Sequence, residues 1–330
     1  MGTEAFSTTP PEALLETLRG GSGEVLLLGH VHPDGDVLGT LLGLGLALEA
    51  AGRRVTFAGP HGVPDVLSFL PAADRYEVWA RAPRVFDVIV LTDCPNDGRT
   101  EGLLEQARGP ASVVLNIDHH PDNRRYGSID WIDPSAAATG EMIWELLRRL
   151  GLPLTPEVAL NLYTAVHTDT GSFRYSNTTP RTFQIAADLT RAGAEPALVT
   201  EWLYQRRARR TLNELGELLR RIQVSDDGMV AWLGVPRGLV SEEFMAAEDV
   251  VTYPRSIGGV KVAVLLREEA PGQVKVSLRG KGEVPVNKIA GRFGGGGHEN
   301  AAGCTVPGSL DDATATVLAA VREALGALVR

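Results

Sequence analysis

Aspartate and histidine gather at four places in this 330-residue chain, each behind an apolar or helical run. "EVLLL" (Glu24 to Leu28) leads into "GHVHPDGD", which holds His30, His32, Asp34 and Asp36. "FDVIVLTD" ends in Asp93, and "ASVVLNIDHH" ends in Asp118, His119 and His120. A helical stretch from about Pro156 to Val166 leads to "HTDTGSF", which holds Asp169. Four or more aspartates brought into one crevice cannot all stay ionised without a counter-charge. Bound metal is the natural one. Imidazole with carboxylate, and no thiolate, suits a hard or borderline divalent ion: Mn2+ first, with Mg2+, Co2+ or Zn2+ as alternatives. So many donors exceed the needs of one ion and suit two, about 3.5–4 Å apart, that share a carboxylate and activate a water. Singly, each stretch has a plainer reading. Pro-Asp-Gly is ordinary turn chemistry, and an Asp behind a strand can cap the next helix. The joint arrangement argues for the metal centre.

Such convergence needs a particular scaffold. In the first half, apolar runs alternate with helical ones: strands at Glu24 to His30, Arg53 to Gly59, Phe86 to Asp93 and Ala111 to His120, and helices at Val37 to Ala51, Thr100 to Ala107 and Gly140 to Leu150. Alternation of this kind, with nearly all-apolar strands, predicts a parallel sheet covered by helices. The carboxyl ends of its strands line one crevice, where ligands bind. The polar residues sit at those ends. His61 and His167 lack such support: His61 reads as a surface-loop residue and His167 as a packed or hydrogen-bonded one. His32 stays undecided.

From Thr182 to about Ile222 the pattern is helical, and beyond it the composition shifts. "MVAWLGV", "GGVKVAVLLRE" and "QVKVSLRG" read as strands of a smaller sheet, "VNKIAGRF" as a short helix, and the stretch from Asp311 as a C-terminal helix. The expected organisation is a first domain over 1–190, a helical connector over 191–225 and a second, smaller α/β domain with a mixed sheet over 226–330. Between the last helices lies "GGGGHENAAG" (Gly294 to Gly303). Consecutive glycines let backbone amides approach an anion closely, and His298 with Arg279 of "SLRG" supplies positive charge. A hinge is the alternative reading of the glycines, but a hinge has no need of the neighbouring His.

Composition sets bounds. Length favours two domains. There are 41 acids against 32 bases, a net charge of −9, so coating of long duplex DNA is not expected. A small anionic substrate stays compatible, since bound metal inverts the local sign. Two cysteines, Cys94 and Cys304, make neither a disulfide framework nor a zinc site and read as small buried residues. "MGTEAFSTTPPEALL" lacks the charged and apolar regions of a signal peptide. "VLGTLLGLGLALEAAG" is too short and too glycine-broken to span a bilayer. The cytosol is the expected location, with no membrane partner.

Taken in order, "GHVHPDGDVLGT", "VIVLTDC", "NIDHHPDN", "VHTDTGSFRYSNTT" and "FGGGGHENAAG" resemble the motif series of the DHH phosphoesterase family with a C-terminal DHHA1 domain. The resemblance runs from about Val25 to Val306. It is nearest to the short stand-alone branch of nanoRNases that are also pAp phosphatases, with relatives that cleave cyclic-di-AMP or pApA. It implies one ion held by His30, Asp34 and Asp93, and another by Asp36, Asp93, His119 and Asp169. It implies that Asp118 orients ligands and that His120 touches the scissile phosphate. Arg279, Gly295, Gly296, Gly297 and His298 resemble the DHHA1 substrate clamp.

The activity so implied is hydrolysis of short oligonucleotides or small nucleotides. Cyclic-di-AMP cleavage in second-messenger turnover is the alternative. A homodimer stays open. An inorganic pyrophosphatase of the DHH type would carry a different C-terminal domain. The intact ligand set argues against a sensor with a lapsed site.

Overall fold

The structure, a computed structural model, describes residues 8–20, 23–241, 244–245, 250–282 and 284–328. The chain divides into two compact units, Met1–Arg206 and Arg207–Arg330. The division falls within the 191–225 segment expected as a connector.

In the first unit, six strands form one sheet: β1 (Val25–Leu28), β2 (Val55–Gly59), β3 (Glu77–Val78), β4 (Phe86–Thr92), β5 (Arg108–Asp118) and β6 (Ile129–Ile132). Their order is β3-β2-β1-β4-β5-β6, and every pairing is parallel. Side chains alternate between faces along each strand. Val25, Leu27, Val88, Val90, Leu115 and Ile117 enter one core. Leu26, Leu28, Ile89, Leu91 and Val114 enter another on the opposite side. Both faces are dry, so the strands read as continuous apolar runs.

The first core is completed by α1 (Glu12–Arg19), α2 (Gly35–Ala50), α4 (Thr139–Leu150) and α5 (Pro156–Asp169); the second takes α3 (Leu103–Ala107). Two further helices, α6 (Pro180–Arg191) and α7 (Pro196–Tyr204), close the unit. Free Cys94 and Cys304 are both buried. No helix among the described residues is long and apolar enough to cross a membrane.

α2 is buried nearly all round, as befits a helix apolar on every side. Its contact with α5 is backbone-close. A Cβ on Gly35 would overlap the Thr168 side chain, one on Gly39 the carbonyl oxygen of Asn161, and one on Gly43 would come within 3.1 Å of Leu162. These glycines, four residues apart, form one stripe.

The second unit begins with α8 (Arg209–Leu219). Its sheet holds β7 (Gln223–Val224), β8 (Val230–Val235), β9 (Val262–Ala270), β10 (Gln273–Gly280), β11 (Gly296–His298) and β12 (Ala301–Pro307). The order is β11-β12-β10-β9-β8-β7. Only β8 and β9 pair in parallel, so the sheet is mixed. One face is covered by α10 (Val286–Gly291) and α11 (Leu310–Leu328), while the short α9 (Thr252–Ser256) also lies in this unit. The sequence reading had no counterpart for β3, β6, β7, β11 and β12.

Replacing Gly39 tests the α2–α5 seam. Alanine favours a helix over glycine by about 1 kcal/mol, but here its Cβ meets a backbone carbonyl that cannot rotate away. Overpacking of this kind costs about 1–3 kcal/mol. Gly39→Ala should therefore lower the denaturant midpoint, whereas propensity alone would raise it.

Candidate metal centre

β1 and β4 lie side by side, with Leu27 opposite Val90. The chain leaves β1 towards β2 and β3, then returns to β4 on the other side. That reversal opens a crevice at the carboxyl ends. His30 follows β1, and Asp93 follows β4. Asp34 caps α2, its Oδ1 accepting from the amides of Asp36 and Val37 at 3.1 Å each. Asp36 occupies the first turn of α2. Asp118 ends β5, His119 and His120 follow it, and Asp169 is the last residue of α5.

These residues converge. Ligand atoms of His30, Asp34 and Asp93 lie within 4.8 Å of one another, as do those of Asp36, His119 and Asp169. His119 Nε2 joins the groups, 3.4 Å from Asp93 and 3.5 Å from Asp169. Asp93 is buried and is the member of the first triad that faces the second: one oxygen is 3.9 Å from His30 Nε2 and the other 3.4 Å from His119 Nε2. His120 also forms a close group with Asp93 and His119, but its Nδ1 is committed elsewhere: it lies 2.8 Å from Asp118 Oδ1, against 3.6 Å from Asp93. Asp118 is saturated by that ring, by the His120 amide at 3.3 Å and by the Asn123 side chain at 2.6 Å. It belongs to neither ligand triad.

The histidines are set to coordinate cations. His119 Nδ1 donates to the Ala136 carbonyl at 3.2 Å, which leaves Nε2 as the atom that faces the carboxylates. His30 Nδ1 lies 2.7 Å from the Val31 carbonyl. A carbonyl only accepts, so Nδ1 carries the proton and Nε2 does not; the Arg99 guanidinium, 3.2 Å away, is then a neighbour rather than a donor. His30 is 0% exposed, and its Nε2 has no hydrogen-bond partner. A buried lone pair without a partner is costly. A divalent cation between the imidazoles and carboxylates satisfies it, so the donor set fits metal.

Electrostatics agree. The protein enclosing its carboxylate, with the nearby Asp93, raises Asp34 even though the residue is open to solvent, and burial with Asp93 and Asp169 raises Asp36 well above the usual range. Burial pushes Asp169 up to about 6. Burial would raise Asp93 too, but the facing His119 and His30 more than offset it and hold its carboxyl below the usual range. The same partnership, against the effect of burial, lifts His119 to about 10. His120 is raised by Asp118 in spite of burial. Without metal, protons supply the counter-charge. Metal loading must expel them.

Two features went unread in the sequence. The N-cap of α4, Ala138, offers no side chain to the helix amides. Asp36 does so from α2, accepting from Thr139 at 2.7 Å and Gly140 at 2.9 Å. The Cys94 carbonyl, next to Asp93, accepts from Tyr126 at 2.9 Å and Asn123 at 3.3 Å. His32, His61 and His167 belong to neither triad. His167 is buried, 3.1 Å from Ser172 and stacked on Tyr163. His61 Nδ1 accepts from the His32 amide at 3.0 Å.

Residues 24–166 match the DHH family, N-terminal domain, and residues 243–327 match the DHHA1 domain. A Thermus thermophilus protein named bifunctional oligoribonuclease and PAP phosphatase NrnA is 36% identical over 94% of this chain and 93% of its own. The chain belongs to the DHH family. A Bacillus subtilis member with the same name is 29% identical over 86% of this chain and 89% of its own. The crystal structure of an exopolyphosphatase-related protein from Bacteroides fragilis shares the fold, with a TM-score of 0.86 at 24% identity, covering 98% of this chain and 100% of that one.

In the DHHA1 domain the glycine run is not a free loop. Gly296–His298 is an edge strand paired with Ala301–Gly303. Arg279 lies opposite Ala301, and Ala301 opposite His298, so the three backbone positions form one row across the sheet. A Cβ on Gly295 would overlap the Gly303 carbonyl, and Gly297 has a φ of 138° that side chains disfavour. Gly296 faces open space.

Two substitutions separate roles in the DHH centre. Asp93→Ala should lose both ions by elemental analysis. His120→Ala should retain both and lose turnover. In weakly buffered solution, loading the wild type should acidify the medium.

Proposed function

We propose that this chain is a two-metal, manganese-dependent phosphoesterase of the cytosol. It hydrolyses short oligonucleotides such as nanoRNA and pApA to mononucleotides, and pAp to AMP. The observation that carries this reading is the pair of adjoining ligand triads joined through the buried Asp93 and His119, with His120 held beside them by Asp118.

His30, Asp34 and Asp93 would hold one ion, and Asp36, Asp93, His119 and Asp169 the other. When bound, such a pair lowers the pKa of water and neutralises phosphoryl charge. The protein's share is orientation. Asp118 fixes the His120 ring through Nδ1, so Nε2 is free to meet a phosphoryl oxygen. Thr139 and Gly140 hold Asp36 from behind. Arg279, His298 and the amides of Gly295, Gly296 and Gly297 bind the part of the substrate away from the scissile phosphate. The hydroxyl of Thr139, 3.3 Å from Asp93 Oδ1, helps to aim the shared carboxylate.

Turnover with Mn2+ should be compared on pAp, pApA, a short oligoribonucleotide and cyclic-di-AMP. Binding energy from groups away from the scissile phosphate assists only a substrate held along its whole length, so rates should fall steeply beyond about five nucleotides. Excess length meets a surface of net charge −9, which offers it little attraction. Arg279→Ala should cost about ten- to a hundredfold in kcat/KM on pApA, the worth of one charge-assisted contact, and much less on a small artificial phosphodiester. Equal rates on a dimer and a long polymer, or fastest turnover of cyclic-di-AMP, would overturn the substrate assignment.

A further inference from the structure

Three successive residues behind the ligand Asp169 are left-handed: Gly171 (φ 55°), Ser172 (φ 61°) and Phe173 (φ 63°). For a residue as bulky as Phe this conformation is an outlier, and it costs on the order of 1–2 kcal/mol per non-glycine residue. The fold holds it with specific bonds. The Ser172 hydroxyl lies 3.1 Å from His167 Nε2 and 2.9 Å from the Tyr204 hydroxyl, and the Phe173 amide donates to the Thr170 hydroxyl at 3.1 Å. Arg174 Nε donates to the Gly171 carbonyl at 2.6 Å.

The strained turn gathers aromatic surface. Among the described residues, the large aromatic side chains left exposed are Phe183 (56%), Tyr175 (52%) and Tyr204 (41%). All three attach to this turn. Tyr175 lies on Gly171, where any Cβ would overlap its ring. Phe183 stacks on Phe173 with centroids 5.5 Å apart and planes at 24°. Tyr204 bonds Ser172. The turn is tied to the metal centre at both ends. It starts at Asp169, and Asn177 beyond it donates to the Asp169 carbonyl at 3.2 Å and to the Ala137 carbonyl at 2.9 Å.

Exposed aromatic rings grouped beside a site invite a flat apolar ligand. For a phosphoester substrate, that ligand is a base. Stacking on an aromatic ring is tolerant of sequence, because every base has a π-face. We infer that the aromatic face carried by the turn Gly171–Tyr175, with Tyr175 and Phe183 as its open rings, stacks the nucleobases of the substrate. This rests on the nucleotide reading above and supplies its missing base contact. It also gives the strain a use: the left-handed turn fixes the rings relative to Asp169.

The test compares pApA with its abasic counterpart, the same phosphate–ribose chain without adenines, in Mn2+-loaded wild type, Tyr175→Ala, Phe183→Ala and Tyr175→Phe. Stacking is worth about 1–3 kcal/mol per base. Tyr175→Ala should therefore raise KM for pApA about tenfold more than for the abasic chain, with kcat changed far less. Phe183→Ala should show the same selectivity. Tyr175→Phe keeps the ring and should restore the wild-type KM. Metal content, measured in parallel, identifies any variant that has lost the centre. Equal losses on both substrates with both metals retained, or a Tyr175→Ala enzyme that changes oligomeric state rather than KM, would overturn the inference. Wild type that hydrolyses pApA while both alanine variants keep its KM would sink the stacking face alone. Wild type inert towards pApA would take the nucleotide reading down with it.

Discussion

The carboxylate of Asp36 rests on the first amides of a helix more than a hundred residues away, and the first unit is organised around that contact. It gives α4 the cap that Ala138 lacks, and it holds a candidate metal-binding carboxylate in place. A helix N-terminus favours negative charge through its free N–H groups. Asp36 therefore tolerates burial beside Asp93 and Asp169 better than it would alone. Three elements are pinned together here: α2 through Asp36, α4 through its amides, and α5 through the glycine stripe against which it lies. Each contributes to, or abuts, the ion-binding crevice.

Strain collects in the same place. Of the seven non-glycine residues with left-handed backbones among the described residues, four, His32, Asp93, Ser172 and Phe173, lie in the segments that carry the candidate ligands. Residues in such conformations persist only where their surroundings over-determine them. Here the surroundings are two dry cores on either face of a parallel sheet, together with side-chain bonds such as those that Tyr126 and Asn123 make to the Cys94 carbonyl. The rigid sheet carries the cost, and the loops at its carboxyl ends carry the chemistry.

Much of this was legible in the sequence, for a physical reason. Strands covered on both faces are continuous apolar runs, so His30, Asp93 and Asp118 stand out sharply at the ends of theirs. The parallel topology then dictates that they meet. What could not be read depended on register. Nothing in "AAATGEM" announces that Thr139 and Gly140 will face Asp36, because that contact exists only once two helices are docked. β12 is built of small residues and β11 of two glycines and a histidine. Ala301, Ala302 and Gly303 of β12 and the glycines of β11 are poor strand formers, and they extend because their neighbours do. The glycines first read as an anion cradle have a second reason at Gly295 and Gly297, which is the close approach of β12.

The elements bearing the ligands bury their apolar residues against one another, not against an ion. Val25, Leu27 and Val90 lie in the sheet core, and α2 and α5 meet through glycine and alanine. The centre is thus a socket and not a knot. Unlike a zinc finger, whose fold is assembled by its metal, this scaffold draws its packing from its own apolar cores. For a donor set of imidazole and carboxylate, the choice among divalent ions follows supply and ligand hardness.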